Sequence, residues 1–276
     1  MSARDAFPGL SHKGRVAFVT GGGSGIGRET ALTLADLGAD VAVLDWTKGA
    51  AEETAAAIRK IGRKALALTG DTGDEKIVVE AFAAARAELG EVDVAVACAG
   101  VLGDGGPVFE TSVADFEQVM GVNVRGAFLV VREAAKIMRP RKRGAIVVLS
   151  SLDGLQAEHG MFSYCVSKGA LLNLARAAAL DLARDHVTVN AVCPSVTFTP
   201  LLEGRLATIP NGKEVLASYA ERHPLGRVLT ARDIASAIAY VTSPIATGIT
   251  GAAIPVDAGI GATWDNFRDP PWVAKA

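Results

Sequence analysis

Arg15-Val-Ala-Phe-Val-Thr20-Gly21-Gly22-Gly23-Ser24-Gly25-Ile26-Gly27 decides the fold. Arg15 to Thr20 is a short apolar run of strand character, and Ile26 to Leu37 carries apolar residues at helical spacing. The glycines between them let backbone amides come close to a pyrophosphate, and the helix N-terminus adds positive partial charge. Strand, glycine loop and helix together predict a phosphate cradle made by Gly21, Ser24, Gly25, Ile26 and Gly27. The spacing is G-x-x-x-G-x-G, not the G-x-G-x-x-G of other dinucleotide folds.

Outward from this stretch the same rhythm repeats. Asp40–Asp45, Lys64–Thr69, Val92–Ala97, Gly144–Leu149, Val187–Val192 and Ala252–Val256 read as strands, with helical patterns between them. Helices are expected over 50–61, 74–89 and 231–242, the last begun by the capping-box-like Thr230-Ala-Arg-Asp233. The strands are almost continuously apolar, as strands buried on both faces are. The prediction is an α/β fold: a Rossmann-type doubly wound parallel sheet of about seven strands, with helices on both faces. The 276 residues are expected to form a single dinucleotide-binding and catalytic domain. Three stretches fall outside the rhythm: an N-terminal tail (1–13), a loop-like substrate segment (198–219) with Pro200, Pro210 and Gly212, and a tail (261–276) with Trp264 and Trp272. That last tail is expected to pack on a subunit or domain surface, or to cover the active site.

Composition excludes several classes. Half of the residues are hydrophobic, which is incompatible with intrinsic disorder. The formal net charge of −2 provides no overall basic field for nucleic acid. No apolar stretch is long enough for a membrane helix, and residues 1–9 lack the apolar core of a secretory signal. Cys98, Cys165 and Cys193 are scattered, which fits free thiols in a reducing cytoplasm. His12, His159, His186 and His223 have no ligand spacing, so no metal is expected.

Asp45 ends the second strand. A carboxylate there can accept hydrogen bonds from both adenosine ribose hydroxyls and repels the extra phosphate of NADP. Its neighbours Ser24 and Trp46 are not basic, so the expected cofactor is NAD. Asp71 and Thr72 follow the third strand, where Asp71 could meet the adenine amino group.

Tyr164-Cys-Val-Ser-Lys168 places a phenol and an ammonium on one helical face. A free tyrosine titrates near ~10, and a nearby cation favours tyrosinate. The pair follows a strand that ends Leu149-Ser150-Ser151.

With these residues in place, the chain resembles the short-chain dehydrogenase/reductase family, in its compact single-domain branch. The resemblance runs from about Gly14 to Gly259, through Thr20–Gly27, Asp71, Ala99-Gly100, Asn123, Ser151, Tyr164/Lys168, Pro194 with Thr199, Ile249-Thr-Gly251 and Val256-Asp257. It implies that Tyr164 is the general acid/base, that Lys168 lowers its pKa and holds the ribose, and that Ser151 binds the substrate oxygen. It gives Asn123 a water in a proton relay to Lys168, and Ser150 a structural or pocket-lining place. Ala99 and Gly100 are expected to line the cofactor site with Pro194, and Thr199, helped by the Thr197 backbone, to hold the nicotinamide carboxamide. The reaction implied is reversible hydride transfer between a secondary alcohol and NAD.

Two positions depart from the family pattern: Cys98 stands for an asparagine that braces the sheet, and Ser195 for a glycine beside the nicotinamide. Substrate contacts are expected from Ser151, Leu152, Asp153, Tyr164, Ser195 and Leu202, and the leucines suggest an apolar alicyclic, aromatic or steroid-like alcohol. The basic run Arg139–Arg143 suits a helix C-terminus. A 3-oxoacyl-carrier reductase and a non-catalytic NAD-binding sensor or scaffold are the competing functions. The resemblance also implies a homodimer or homotetramer, built on helices around 114–138 and 164–184.

Overall fold

Nine strands form among the described residues, seven of them on the predicted apolar runs: β1 (Val16–Thr20), β2 (Asp40–Asp45), β3 (Ala65–Thr69), β4 (Val92–Ala97), β5 (Gly144–Leu149), β6 (Val187–Pro194) and β9 (Ala253–Val256), with β7 (Thr197–Phe198) and β8 (Leu229–Thr230) two short strands that the sequence reading did not include. This computed structural model describes residues 8–263. Trp264 and Trp272, and most of the tail that holds them, lie outside the described residues, as do residues 1–7.

Seven strands make one sheet in the order β3-β2-β1-β4-β5-β6-β9, and every neighbouring pair is parallel. β7 and β8 pair separately. Strand order reverses between β1 and β4, so a crevice opens at the carboxyl ends of these two strands, where ligands of doubly wound sheets bind.

The helices are α1 (Gly25–Asp36), α2 (Ala50–Lys60), α3 (Glu75–Leu89), α4 (Val113–Val119), α5 (Gly126–Met138), α6 (Leu152–Leu155), α7 (Phe162–Leu182), α8 (Pro200–Ala207), α9 (Gly212–Arg222) and α10 (Ala231–Val241). α3, α5 and α7 cover one face of the sheet, where Phe18 of β1 stacks on Phe82 of α3 at 4.0 Å. α1, α2 and α10 cover the other. β1, β4 and nearly all of β5 are buried along their length, which explains their unbroken apolar sequence.

Two segments differ from the sequence reading. The segment 198–219, loop-like by its prolines, contains α8 and most of α9. Pro200 is at the first turn of α8, where proline's missing N–H costs nothing, and Thr199 caps it by accepting from Leu202 N–H. Pro210 and Asn211 fall in the short turn between the helices. Here the prolines punctuate helices; they do not prevent them. The second difference lies in 114–138, where α4 and α5 are separated by a π-helical stretch, Met120–Arg125, that contains Asn123.

No helix among the described residues is long and apolar enough to cross a membrane.

Candidate active site

The crevice at the strand reversal holds a cavity of about 270 Å³. Its wall includes Gly21, Ser24, Gly25, Ile26, Gly27, Asp45, Thr72, Ala99, Gly100 and Thr199. Ten of the residues expected around the cofactor are thus brought to one surface. Trp46, Thr47, Gly70, Cys98, Val101, Val122, Leu149, Pro200 and Leu201 complete it. Of these, Trp46, 55% exposed beside Asp45, has a sequence signal as a binding group, its adjacency to the acid.

The glycine loop is shaped by close approach. Gly21 and Gly25 have φ of +63° and +51°, in the left-handed region that glycine tolerates. A Cβ on Gly27 would lie 2.1 Å from the Gly21 carbonyl oxygen. That contact is backbone on backbone and cannot be relieved by a rotamer. Gly27→Ala is therefore expected to lower stability by about 1–3 kcal/mol through overpacking. NADH affinity should drop with it, because the strained loop carries the cradle. Thermal denaturation and fluorescence titration with NADH measure both.

At the start of α1, Ser24 occupies the N-cap without a side-chain capping bond. Its hydroxyl and the first amides of the helix face the glycine loop with no intrahelical partner. Asp45 is 7% exposed. Its two oxygens accept from Gly23 N–H at 2.9 Å and Thr47 N–H at 2.8 Å. A carboxylate has about four acceptor sites, so two remain for a ribose diol. Glycine cradle, helix N-terminus and oriented acid fit the pyrophosphate and adenosine ribose of a dinucleotide.

Asp71 is turned elsewhere. It is exposed, and its carboxylate accepts from Gly73 N–H at 2.8 Å. The cavity wall at that point is Gly70 and Thr72. Pro194 and Thr197 are buried outside this wall, and the Thr197 hydroxyl donates to Ser195 C=O at 2.9 Å.

At Cys98 the family's asparagine is replaced, and Thr20 does the bracing. Its hydroxyl accepts from Cys98 N–H and Ala99 N–H at 3.1 and 3.3 Å. Burial pushes the Cys98 thiol up to about 12, so it is inert.

The second half of the site gathers at the end of β5. Ser151 is buried and caps α6 by accepting from Asp153 N–H at 3.1 Å. Its hydroxyl proton is shared between the Asp153 carboxylate at 3.3 Å and Pro194 C=O at 3.5 Å. Tyr164 lies in the first turn of α7, whose start is tied down by Ser163 donating to Asp115 at 2.6 Å. Burial, then the Asp153 charge, hold the Tyr164 phenol above its usual value, and a hydrogen bond with Ser151 pulls the other way.

Lys168 sits one turn on, 3% exposed. Its Nζ donates to Leu149 C=O at 2.7 Å and lies 5.4 Å from the centre of the Tyr164 ring. Desolvation brings the ammonium down to about 8. Its ammonium thus stands over the tyrosine ring while it donates to a carbonyl.

Asn123 spends its side chain on structure. It accepts from Val101 N–H at 2.8 Å and donates to Val101 C=O and Ser167 Oγ, both at 2.9 Å. This locks the loop after β4 onto α7. Gly100 is wedged between them: a Cβ there would lie 3.2 Å from Asn123 Oδ1 and 3.5 Å from Lys168 Nζ. Ser150 donates to Lys168 C=O at 2.8 Å, which holds the helix turn that carries the lysine.

Ser195 has a partner no local pattern predicts. It shares a 2.9 Å hydrogen bond with Nε2 of His223, which is 1% exposed and whose Nδ1 meets Tyr219 C=O at 2.5 Å. The carbonyl requires Nδ1 to carry a proton, which leaves Nε2 to the hydrogen bond with the Ser195 hydroxyl. Leu152 and Leu202 are half-buried, in the first turns of α6 and α8, and His159 is exposed.

Residues 21–261 match the family described as Enoyl-(Acyl carrier protein) reductase. Cis-4-hydroxycyclohexanecarboxylate dehydrogenase from Sinomonas cyclohexanicum is 38% identical over 248 residues, which are 90% of this chain and 97% of that protein. The crystal structure of levodione reductase aligns with a TM-score of 0.89 at 28% identity, over 91% of this chain and 99% of that one. That of 3-ketoacyl-(acyl-carrier-protein) reductase from Brucella melitensis, complexed with NADH, aligns with a TM-score of 0.81 at 32% identity, over 90% and 99%. A parallel sheet that reverses at a glycine cradle, with tyrosine and lysine one turn apart beside it, thus joins these relatives: the chain belongs to the short-chain dehydrogenase/reductase family, as an oxidoreductase that uses a nicotinamide cofactor on a secondary alcohol or its ketone.

Proposed function

We propose that the chain is an NAD-dependent dehydrogenase that oxidises a secondary alcohol reversibly to the ketone. The observation that carries this reading is the cluster at the end of β5, where Lys168 bonds the carbonyl of Leu149, a residue of the cavity wall, and stands 5.4 Å from the Tyr164 ring, with Ser151 two residues beyond Leu149. When bound, the nicotinamide supplies the hydride acceptor. Tyr164 takes the carbinol proton in oxidation and returns it in reduction. Ser151 holds the substrate oxygen as charge develops there. Lys168, protonated below about 8, binds the ribose hydroxyls and keeps positive charge near the phenol. Asn123 positions Lys168 through Ser167 and the Val101 loop.

Asp45 supports NAD as the cofactor. A carboxylate at the end of the second strand would repel the extra phosphate of NADP, and the cavity wall contributes no arginine or lysine. Leu201, Leu202 and Leu206 around α8 suit an alicyclic, aromatic or steroid-like substrate. A second copy of the chain is the expected partner, because Val113 of α4, Phe128 of α5 and Leu180 of α7 are 73%, 48% and 80% exposed. The cytoplasm is the expected location.

A 3-oxoacyl-carrier reductase, the competing enzyme, needs a free basic surface. Here Arg139 pairs with Asp185, and Arg141 and Arg143 pair with Asp93. The test is a panel of secondary alcohols followed by NADH absorbance, with NAD and NADP in parallel and acetoacetyl thioesters run in reverse. Oxidation of one alcohol class with NAD is the expected result. Activity confined to NADPH and acyl thioesters would overturn it.

A further inference from the structure

We infer that Asp153 is a substrate receptor for a second hydroxyl, so that this dehydrogenase selects a vicinal diol, or the α-hydroxyketone formed from it, over a plain secondary alcohol. The inference rests on the dehydrogenase reading above and names its substrate class.

Three observations carry it. The Asp153 carboxylate is 3.3 Å from Ser151 Oγ, the group that holds the reacting oxygen. The α6 turn fixes it there, because Ser151 accepts the Asp153 N–H at 3.1 Å and so ties that turn to the serine. Second, one carboxylate oxygen has no hydrogen-bond donor among the described residues. Asp153 is only half-buried, and that oxygen is not among the buried unpartnered polar atoms, so it stays accessible to a ligand beside Ser151. Third, no cation neutralises it at contact distance. Desolvation and Glu158 raise its pKa to about 6, against the opposing pull of Ser151 and the more distant Lys168. Tyr219, from α9 on the other side, also feels the Asp153 charge.

An acceptor-only group beside the catalytic serine is costly to leave unmet in a pocket that closes around apolar carbon. A substrate hydroxyl meets it. In a gauche vicinal diol the second oxygen lies about one hydrogen-bond length from the first. With the carbinol oxygen on Ser151 and Tyr164, the neighbouring hydroxyl reaches Asp153 without strain. A hydroxyl further along the ring does not. The product keeps the contact, because the hydride leaves the reacting carbon for the nicotinamide and the proton leaves its oxygen for Tyr164, while the second hydroxyl keeps its hydrogen.

The experiment compares cyclohexane-1,2-diol (cis and trans), cyclohexane-1,4-diol and cyclohexanol as substrates with NAD, using the full chain, Asp153→Asn and Asp153→Ala. Circular dichroism and NADH titration verify that each variant folds and binds cofactor. The native chain should oxidise one 1,2-diol with kcat/KM at least about tenfold above cyclohexanol and the 1,4-diol, as for loss of one charge-assisted hydrogen bond. In Asp153→Ala that ratio should fall to about one, with the loss mostly in KM, and Asp153→Asn should lie between. Equal rates on all four substrates in the native chain would overturn the inference and leave the dehydrogenase reading intact. So would a diol preference that survives in Asp153→Ala. No oxidation of any alcohol by the native chain would overturn the underlying reading, and the inference with it.

Discussion

Tyr164→Phe should lower kcat about 10³-fold or more while leaving NADH affinity within about threefold, because general acid–base catalysis alone supplies about 10²–10⁴. The substitution removes one oxygen. The ring that packs under Lys168 stays, so the 5.4 Å stacking geometry and the Lys168–Leu149 hydrogen bond survive. Ser151 keeps its Asp153 and Pro194 partners. Stopped assays with and without variant, together with fluorescence titration, separate the two effects. A variant that retained a tenth of native turnover would end the tyrosine mechanism. The native pH profile adds a second check. Oxidation needs the phenol deprotonated, and burial and Asp153 both hold its pKa above the ordinary value. Oxidation should therefore climb with pH into the alkaline range. Reduction uses the protonated phenol and should stay level through neutrality.

Replacing Asp45 should have the next largest effect, on cofactor choice. Asp45→Ala removes both the acceptor for the ribose diol and the charge that excludes the phosphate of NADP. Hydrogen bonds to a charged group contribute about 1.5–3 kcal/mol each, so NAD affinity should fall by about 10–100-fold or more. The ratio of kcat/KM for NAD over that for NADP should collapse by about two orders of magnitude. Asp45 also accepts the Gly23 and Thr47 amides, so the alanine variant will lose some stability too. Asp45→Asn separates the causes, because it keeps an acceptor oxygen and loses only the charge. If NADP is still refused by Asp45→Asn, shape and not charge sets the preference.

Most of the cofactor half was legible before any coordinates. Gly21, Ser24, Gly25, Ile26, Gly27 and Asp45 lie within one strand–loop–helix–strand unit, where sequence spacing translates directly into position. Ala99, Gly100 and Thr199 line the same cavity because each lies within three residues of the end of a strand, β4 or β7. Asp71 was less legible. Its place after β3 is clear from sequence, but its side chain bonds to Gly73 two residues on, a choice of rotamer and not of register.

The chain's periodicities thus determine that a parallel sheet forms and which segments reach its carboxyl edge, because burial on both faces demands unbroken apolar strands and parallel strands demand crossovers. Tertiary structure alone decides what each polar side chain does there. It spends Asn123 on Val101 and Ser167, pairs Ser195 with His223 across 28 residues, and directs Lys168 to Leu149. It also turns the segment 198–219 into two helices, the first capped by Thr199, and leaves one Asp153 oxygen open beside Ser151. Backbone course follows from local pattern and burial. Side-chain partnership depends on distances between segments far apart in the chain, and these exist only once the sheet has closed around its core.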